Sequence, residues 1–303
     1  MSRIRSVRPR LTAAAAVFGL AVGLPFALGA CGGEEVVNAE SKSRTAVHTD
    51  FDASNFSDST KIDNRYLPLE AGMQFTYEGR SNRGQGRLPH RVVFTVTGLS
   101  KVIDGVESVV LWDRDYNHGK LLEGELAFWS QDDDGNVWLM GEYPEEYDDE
   151  GNFEAAPDTW FSGIDRARAG IMMRGDPQPG TPEHKQGYAP TIGFGDVAFV
   201  AKTGQKACVP TGCYDDVLIT DETNPDEPGD GHQLKYYAPD IGNIEAAPGR
   251  GGKEREVLEL TKFTRLSPGA LEFANKEALR LEKRAYVKRK DVYGKTPPSQ
   301  PAG

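Results

Sequence analysis

Asp132, Asp134 and Asn136 stand at alternate positions in Gln131-Asp132-Asp133-Asp134-Gly135-Asn136, the order in which a calcium loop offers its first oxygen ligands. The rest of that pattern does not follow. Glycine falls at the fourth position rather than the sixth, and Tyr143 stands at the twelfth, where a bidentate glutamate belongs. The competing reading is a hairpin turn, because Asp134-Gly135 separates two β-prone apolar runs and glycine accepts a positive φ without a Cβ clash. A second constellation, Asp113, Asp115 and His118, could supply acid–base chemistry if the fold brings the three together. His90, His118, His184 and His232 lie in separate segments, and there is no Gly-x-Ser-x-Gly, no His-Glu-x-x-His and no dinucleotide fingerprint. The Gly-rich 249–253 run lacks the spacing of a phosphate loop. Catalytic, metal and cofactor sites are therefore left unassigned. The expectation is a non-catalytic binding or structural protein, with a secreted calcium-dependent hydrolase as the alternative.

The amino terminus carries a different chemistry. Arg3, Arg5, Arg8 and Arg10 precede an uncharged apolar run from Leu11 to Leu28, which ends in Leu28-Gly29-Ala30-Cys31. A basic start, a short apolar segment and small residues before a cut mark a secretory leader. Cysteine directly after Leu-Gly-Ala resembles the bacterial lipobox, which implies acylation of the Cys31 thiol and cleavage before it. An uncleaved anchor, or an ordinary leader with an incidental cysteine, are the other readings. Each buried CH₂ contributes about 0.8 kcal/mol, so two or three acyl chains hold a protein firmly on a membrane. The expected location is the outer face of the bacterial cell membrane.

Removing the four arginines of residues 1–30 takes the formal charge from −11 to −15. That balance excludes nucleic acid as a partner, since phosphate binding needs clustered Lys and Arg. With Cys31 acylated, Cys208 and Cys213 remain in Cys-Val-Pro-Thr-Gly-Cys. Outside the cytoplasm a close pair reads as a disulfide rather than a metal or redox site. Between Leu121 and Asp165 there are 14 Asp and Glu and no Lys or Arg, so a basic partner, in cis or in trans, is a further expectation.

The elements that would position these residues are mostly strands. Residues 31–50 read as a tether; about 20 flexible residues span roughly 25 Å. Met73, Phe75 and Tyr77 alternate at period two, Arg91–Thr97 and Val106–Trp112 read as the next strand pair, and Leu121–Trp129 and Val137–Met140 carry apolar, aromatic runs. Turn signals at Asp104-Gly105, Asn117-His118-Gly119 and Asp134-Gly135 separate them. Short connections of this kind specify an antiparallel meander, because parallel strands need a crossover of a dozen or more residues. Further strands are expected at 196–201, 214–220, 233–237 and 257–263, and a short helix from Trp160 to Met173. Ser267-Pro268 opens a basic helix expected to end near Arg289, packed on the sheet and paired with the acidic 121–165 surface. Thr296 to Pro301 reads as a disordered tail. Trp112, Trp129, Trp138 and Trp160 fit either a ligand platform or a core.

Asn64 to Gly72 (NRYLPLEAG), Tyr77-Glu78-Gly79, Val102 to Val106 (VIDGV), Gln131 to Gly141 (QDDDGNVWLMG) and Lys235 to Gly242 (KYYAPDIG) together resemble a family of functionally uncharacterised exported lipoproteins of actinobacteria. The resemblance runs from about residue 60 to about 245; it implies a shared β-rich domain and brings no catalytic residues. The expected fold is mainly β: an antiparallel meander curled into a sandwich or half-open barrel over residues 51–266, with a basic α-helix and tail at 267–303. An apolar concave face would suit an apolar small molecule.

Overall fold

The computed structural model describes residues 49–302 except 83–85, 227–228, 230 and 252–255. The 1–30 leader, Cys31 and nearly all of the tether lie outside the described residues. Five strands open the chain: β1 (Met73–Asn82), β2 (Arg87–Ile103), β3 (Val106–Asn117), β4 (Lys120–Gln131) and β5 (Val137–Tyr147). Each pairs antiparallel with the next, as the alternation and the turn signals demand. In the β2–β3 turn Asp104 and Gly105 both take positive φ (50° and 82°), and His118 and Gly119 do the same between β3 and β4 (50° and 78°). Two successive left-handed residues match the twist of the flanking strands.

Five short strands follow: β6 (Phe153–Ala155), β7 (Trp160–Phe161), β8 (Arg168–Met173), β9 (His184–Lys185) and β10 (Gly187–Tyr188). A second antiparallel meander then runs through β11 (Val197–Val209), β12 (Gly212–Thr223), β13 (Gln233–Ala238), β14 (Gly242–Pro248) and β15 (Glu256–Arg265). The two meanders join where β15 pairs with β1. At the far edges, β9 pairs with β11 while β10 pairs with β8, so His184–Tyr188 bridges the gap and the sheet closes nearly into a barrel. Gly170 permits that closure: a Cβ there would lie 2.4 Å from the backbone of Gln186 and Gly187.

A helix α1 (Pro268–Lys288), a single turn α2 (Lys290–Tyr293) and a two-residue strand β16 (Gln300–Pro301) end the chain. Ser267 caps α1 by accepting from the Ala270 amide, and Pro268 occupies its first turn, where a missing N–H costs nothing. Ala274, Ala278, Leu281 and Ala285 form its buried stripe, packed on the outer face of β2, β3 and β4. Among the described residues no helix is long and apolar enough to cross a membrane, which says nothing about strands.

Two expectations are corrected. Trp160 to Met173 is not helical: Trp160–Phe161 pairs with Gly141–Glu142, and Gly170, Ile171 and Met173 pair with β5. The edge of β5 offers ladder hydrogen bonds to an apolar run that could have coiled as easily as extended, and tertiary pairing overrides local preference. The 296–301 tail is ordered, because β2 outruns β1: its pairing to β1 stops at Thr95 and leaves Leu99 and Ser100 with an open edge. Pro301 and Gln300 fill that edge, and the Ala302 amide donates to Gly98 O at 2.9 Å.

The pleat sorts the side chains into two buried clusters. One lines the barrel interior and includes Phe75, Tyr77, Val92, Leu111, Trp129, Leu139, Leu218, Tyr237 and Leu258. The other lies between the outer face of β2–β5 and the C-terminal helix, and includes Leu99, Trp112, Phe128, Trp138, Tyr143, Leu281 and Tyr293.

Candidate functional site: an apolar cavity with a charged end

The 60–72 segment closes one end of the barrel interior. Asn64 anchors it, donating from Nδ2 to Gly135 O (2.9 Å) and Arg174 O (3.0 Å) while Oδ1 accepts from the Tyr66 and Leu67 amides. The Asn64 amide donates to Gln131 Oε1, and the Asp240 amide donates to Arg65 O. The Asn64, Gln131 and Lys235 motif segments therefore meet at this closure, a structural reason for their joint presence. Leu67, Pro68 and Leu69 cap an apolar cavity of about 100 Å³ whose walls include Phe75, Tyr77, Leu111, Trp129, Met172, Tyr237 and Leu258.

Toward the other end the inward positions change character strand by strand. On β3 they read Val109, Leu111, Asp113, Asp115 and Asn117. Opposite them, β4 turns from Trp129 and Ala127 to Glu125, with Leu111 facing Ala127 and Asp113 facing Glu125. Ala127 in turn faces Glu142 on β5. On β2 the sequence passes from Val96 and Val92, opposite Leu111 and Asp115, to His90, opposite Asn117. Glu256 ends the Leu260–Leu258 row of β15, and Lys235 follows Tyr237 on β13. All these side chains are buried.

His90 is the hub. Its Nε2 lies 2.8 Å from Asp115 Oδ1 and its Nδ1 2.9 Å from Glu256 Oε1. Burial resists charging the ring, but the two carboxylates outweigh burial and raise its pKa to about 9. Gly79, opposite His90 on the β1–β2 ladder, admits the close approach of the β15 backbone beside Glu256: a Cβ on it would fall 1.8 Å from Val257 O. Lys235 binds Glu222 at 2.7 Å. Burial, reinforced by the neighbouring Glu125 and Asp115, pushes Asp113 well above the usual carboxylate range. Burial does the same to Glu125 and Glu142, whose side chains meet diagonally across β4 and β5; Trp160 Nε1 donates to Glu142 at 2.9 Å and only partly offsets it. Glu256 and Lys235 also line the apolar cavity, which therefore meets the polar end at these two side chains.

The sequence candidates distribute unevenly over this site. Asp113 and Asp115 both enter it, but His118 sits in the β3–β4 turn; the imidazole that meets Asp115 is His90. Trp129 and Trp160 face inward, whereas Trp112 and Trp138 pack under the helix and the amino-terminal segment, so the four tryptophans form no common platform. Asp132 belongs to its own hairpin. Oδ1 accepts from the Asp134 and Asn136 amides, and Oδ2 from Asn136 Nδ2 and Trp138 Nε1, all at 2.8–3.1 Å. Asp133 accepts from Ser57. Among the described residues no three His, Cys, Asp or Glu are grouped to hold a metal ion.

Cys208 and Cys213 face one another across the β11–β12 hairpin with sulfurs 2.08 Å apart. The acidic 121–165 region finds its basic partner in cis: Arg284 meets Glu145, and Lys295 meets Asp165. His90, Glu125, Glu142, Lys235 and Glu256 escaped sequence reasoning. Their signal was present, since acids replace apolar residues at the inward parity of β3 and β4, but strand pairing alone shows that several strands change over at one level.

No protein-family model matches the chain, and no curated protein matches it. Two solved structures overlap it weakly. A protein described as exported, with a YmcC-like fold, from Bacteroides fragilis shares 16% identity at a TM-score of 0.35, covering 66% of this chain and 99% of its own. One described as a lipoprotein from Parabacteroides distasonis shares 11% identity at a TM-score of 0.32, with the same coverage. Overlap at this level transfers no function to the chain.

Proposed function

We propose that this protein is an exported lipoprotein that binds a small, largely apolar molecule inside its β barrel and does not transform it. In this reading residues 1–30 are removed on export and Cys31 is acylated. Residues 31–50 then tether the 51–266 barrel and the 267–303 helix and tail to the outer face of the bacterial cell membrane. The lipobox sequence supports the anchor. The observation that carries the binding function is the cavity walled by Phe75, Tyr77, Trp129 and Leu258, with the polar side chains of Lys235 and Glu256 in its lining. Apolar concavities with a few placed polar groups are where proteins hold small ligands. A non-catalytic role fits the hub, because His90 is clamped between two carboxylates rather than poised over an open cleft.

Mass spectrometry of the intact protein, extracted gently from its native membrane, tests both parts. A diacylglyceryl-modified Cys31 together with a retained apolar molecule is the expected result. An unmodified Cys31 would remove the anchor, and a ligand-free barrel that also ignores apolar dyes would remove the binding function.

A further inference from the structure

Outside the barrel, at the seam where β8 meets β10, an open cleft of about 690 Å³ collects charges that the fold keeps apart. Four segments wall it: the chain entry at Asp50 and Phe51, the β2–β3 turn at Asp104, the 162–168 loop, and Tyr188 with Pro190. Ser162 sets the loop against the turn, since its hydroxyl donates to Asp104 Oδ2 (2.8 Å) and accepts from the Ala169 amide (3.0 Å). Ala167 and Ala169 are buried, so Arg166 and Arg168, at the alternate positions, stand on the exposed side and line the cleft. Arg168 faces Tyr188 across the β8–β10 ladder, and Lys185 Nζ lies over the tyrosine ring at 4.7 Å. Arg166 is held at a φ of 68°, directly after Asp165 at 49°. Glycine would take that backbone with less strain, yet the chain places a guanidinium there. Arg65, Arg265, Arg284 and Arg289 each sit on a carboxylate. Among the described residues Arg166 and Arg168 pair with none, although Asp50 and Asp104 line the same cleft and Asp165 is taken by Lys295. Opposite charges that share a cleft without meeting are left to an occupant that carries both signs. The volume falls within the roughly 300–1,000 Å³ of small-ligand sites.

We propose that this cleft takes a zwitterionic head, an oxyanion and an ammonium a few bonds apart, and that its source is the phosphoethanolamine group of a membrane phospholipid. The phosphate accepts from Arg166 and Arg168, whose planar N–H forks suit two oxygens of one phosphate. The ammonium donates to Asp50 and to the Asp104 oxygen that Ser162 leaves free. The source follows from position. Asp50 lines the cleft, and Cys31 lies 19 residues before it. A flexible stretch of that length spans roughly 25 Å, so an anchor at Cys31 keeps the cleft within reach of the head groups. A formal charge of −15 without residues 1–30 opposes a purely anionic surface, but not a zwitterionic one. The inference rests on the Cys31 anchor proposed above and is independent of the barrel cavity.

The test uses the processed chain from residue 31 with Cys31→Ser, so that no acyl group contributes to binding. Flotation is compared on phosphatidylcholine vesicles and on the same vesicles with added phosphatidylethanolamine or phosphatidylglycerol. The ethanolamine vesicles are expected to carry at least fivefold more protein than either of the others. Arg166→Gly should abolish that excess while melting no lower than the parent, because glycine suits the left-handed backbone. Arg168→Gln, on the exposed side of β8, should abolish it as well. Equal flotation on ethanolamine and choline vesicles, a preference for phosphatidylglycerol, or an excess that survives both substitutions overturns the proposal. Soluble O-phosphoethanolamine that saturates the protein with no vesicle preference overturns the lipid source. An unmodified Cys31 in the native protein, with the flotation excess intact, removes the anchor and leaves the cleft as a binding site.

Discussion

Arg284 on α1 donates from Nε to both carboxylate oxygens of Glu145 on β5, at 2.9 and 3.1 Å. Glu145 is fully buried and also accepts from the hydroxyls of Tyr143 and Tyr147. The helix is thus fastened to the acidic face of the barrel by a charge that could not be left there alone. Arg284→Met is expected to cost about 3 kcal/mol. That is the low end for breaking a buried pair, because the guanidinium is partly exposed. Urea unfolding measures it. Adding Glu145→Gln should restore most of the loss; if it does not, the cost comes from packing rather than charge.

The carboxy-terminal tail closes a second buried pair. Lys101 Nζ donates to Glu282 Oε1 (2.9 Å), to Pro297 O and to the Tyr286 hydroxyl, while Glu282 accepts from the Ser299 amide and hydroxyl. Burial lowers the Lys101 pKa despite Glu282. Deleting residues 296–303 strips this pair of its tail partners and should lower stability by about 2 kcal/mol. Amide exchange of Ser100, which pairs with Gln300, should accelerate with it. Unchanged exchange would mean the tail does not hold the β2 edge in solution.

Both oxygens of Asp132 are spent on the hairpin. Asp132→Ala is therefore expected to lower thermal stability by several degrees, a cost of about 2–3 kcal/mol for the donors it strands. Calcium and chelator should leave the melting temperature of the parent unchanged. A calcium-dependent rise that Asp132→Ala abolishes would revive the metal reading.

His90 makes stability depend on pH. Its folded pKa of about 9 lies above the unfolded 6.5, so the native state holds the proton more tightly. That stability is complete below 6.5 and is lost as pH rises through 9, by up to about 3 kcal/mol. Asp113, Glu125 and Glu142, all raised, act in the same direction from the ordinary carboxylate range upward. His184, held neutral by burial with a pKa near 3, acts oppositely and costs stability on acidification below 6.5. Urea melts between pH 6.5 and 9.5 should show a falling stability whose slope is shallower in His90→Gln. Parallel slopes would place the titration elsewhere.

Much of the barrel was legible because its information is local. Alternation at period two named the strands, and Asp104-Gly105 and His118-Gly119 named the turns through the one property that matters there, tolerance of positive φ. Ser267-Pro268 likewise opened the helix where it begins. Trp160 to Met173 forms strands rather than a helix because a mixed segment without clear periodicity carries no local preference, and the edge of β5 decides it.

The amino-acid sequence by itself determined the strands and turns of the first meander, the helix start and the acid–base complementarity between residues 121–165 and α1, all set by neighbours within a turn or by net charge. Only the tertiary structure decided that β15 returns to β1 and that the 60–72 segment closes one end of the interior. It alone brought His90 between Asp115 and Glu256, because residues separated by as many as 166 positions come together through closure of the sheet. No local signal encodes such a meeting. The pairing energy of a whole barrel selects it.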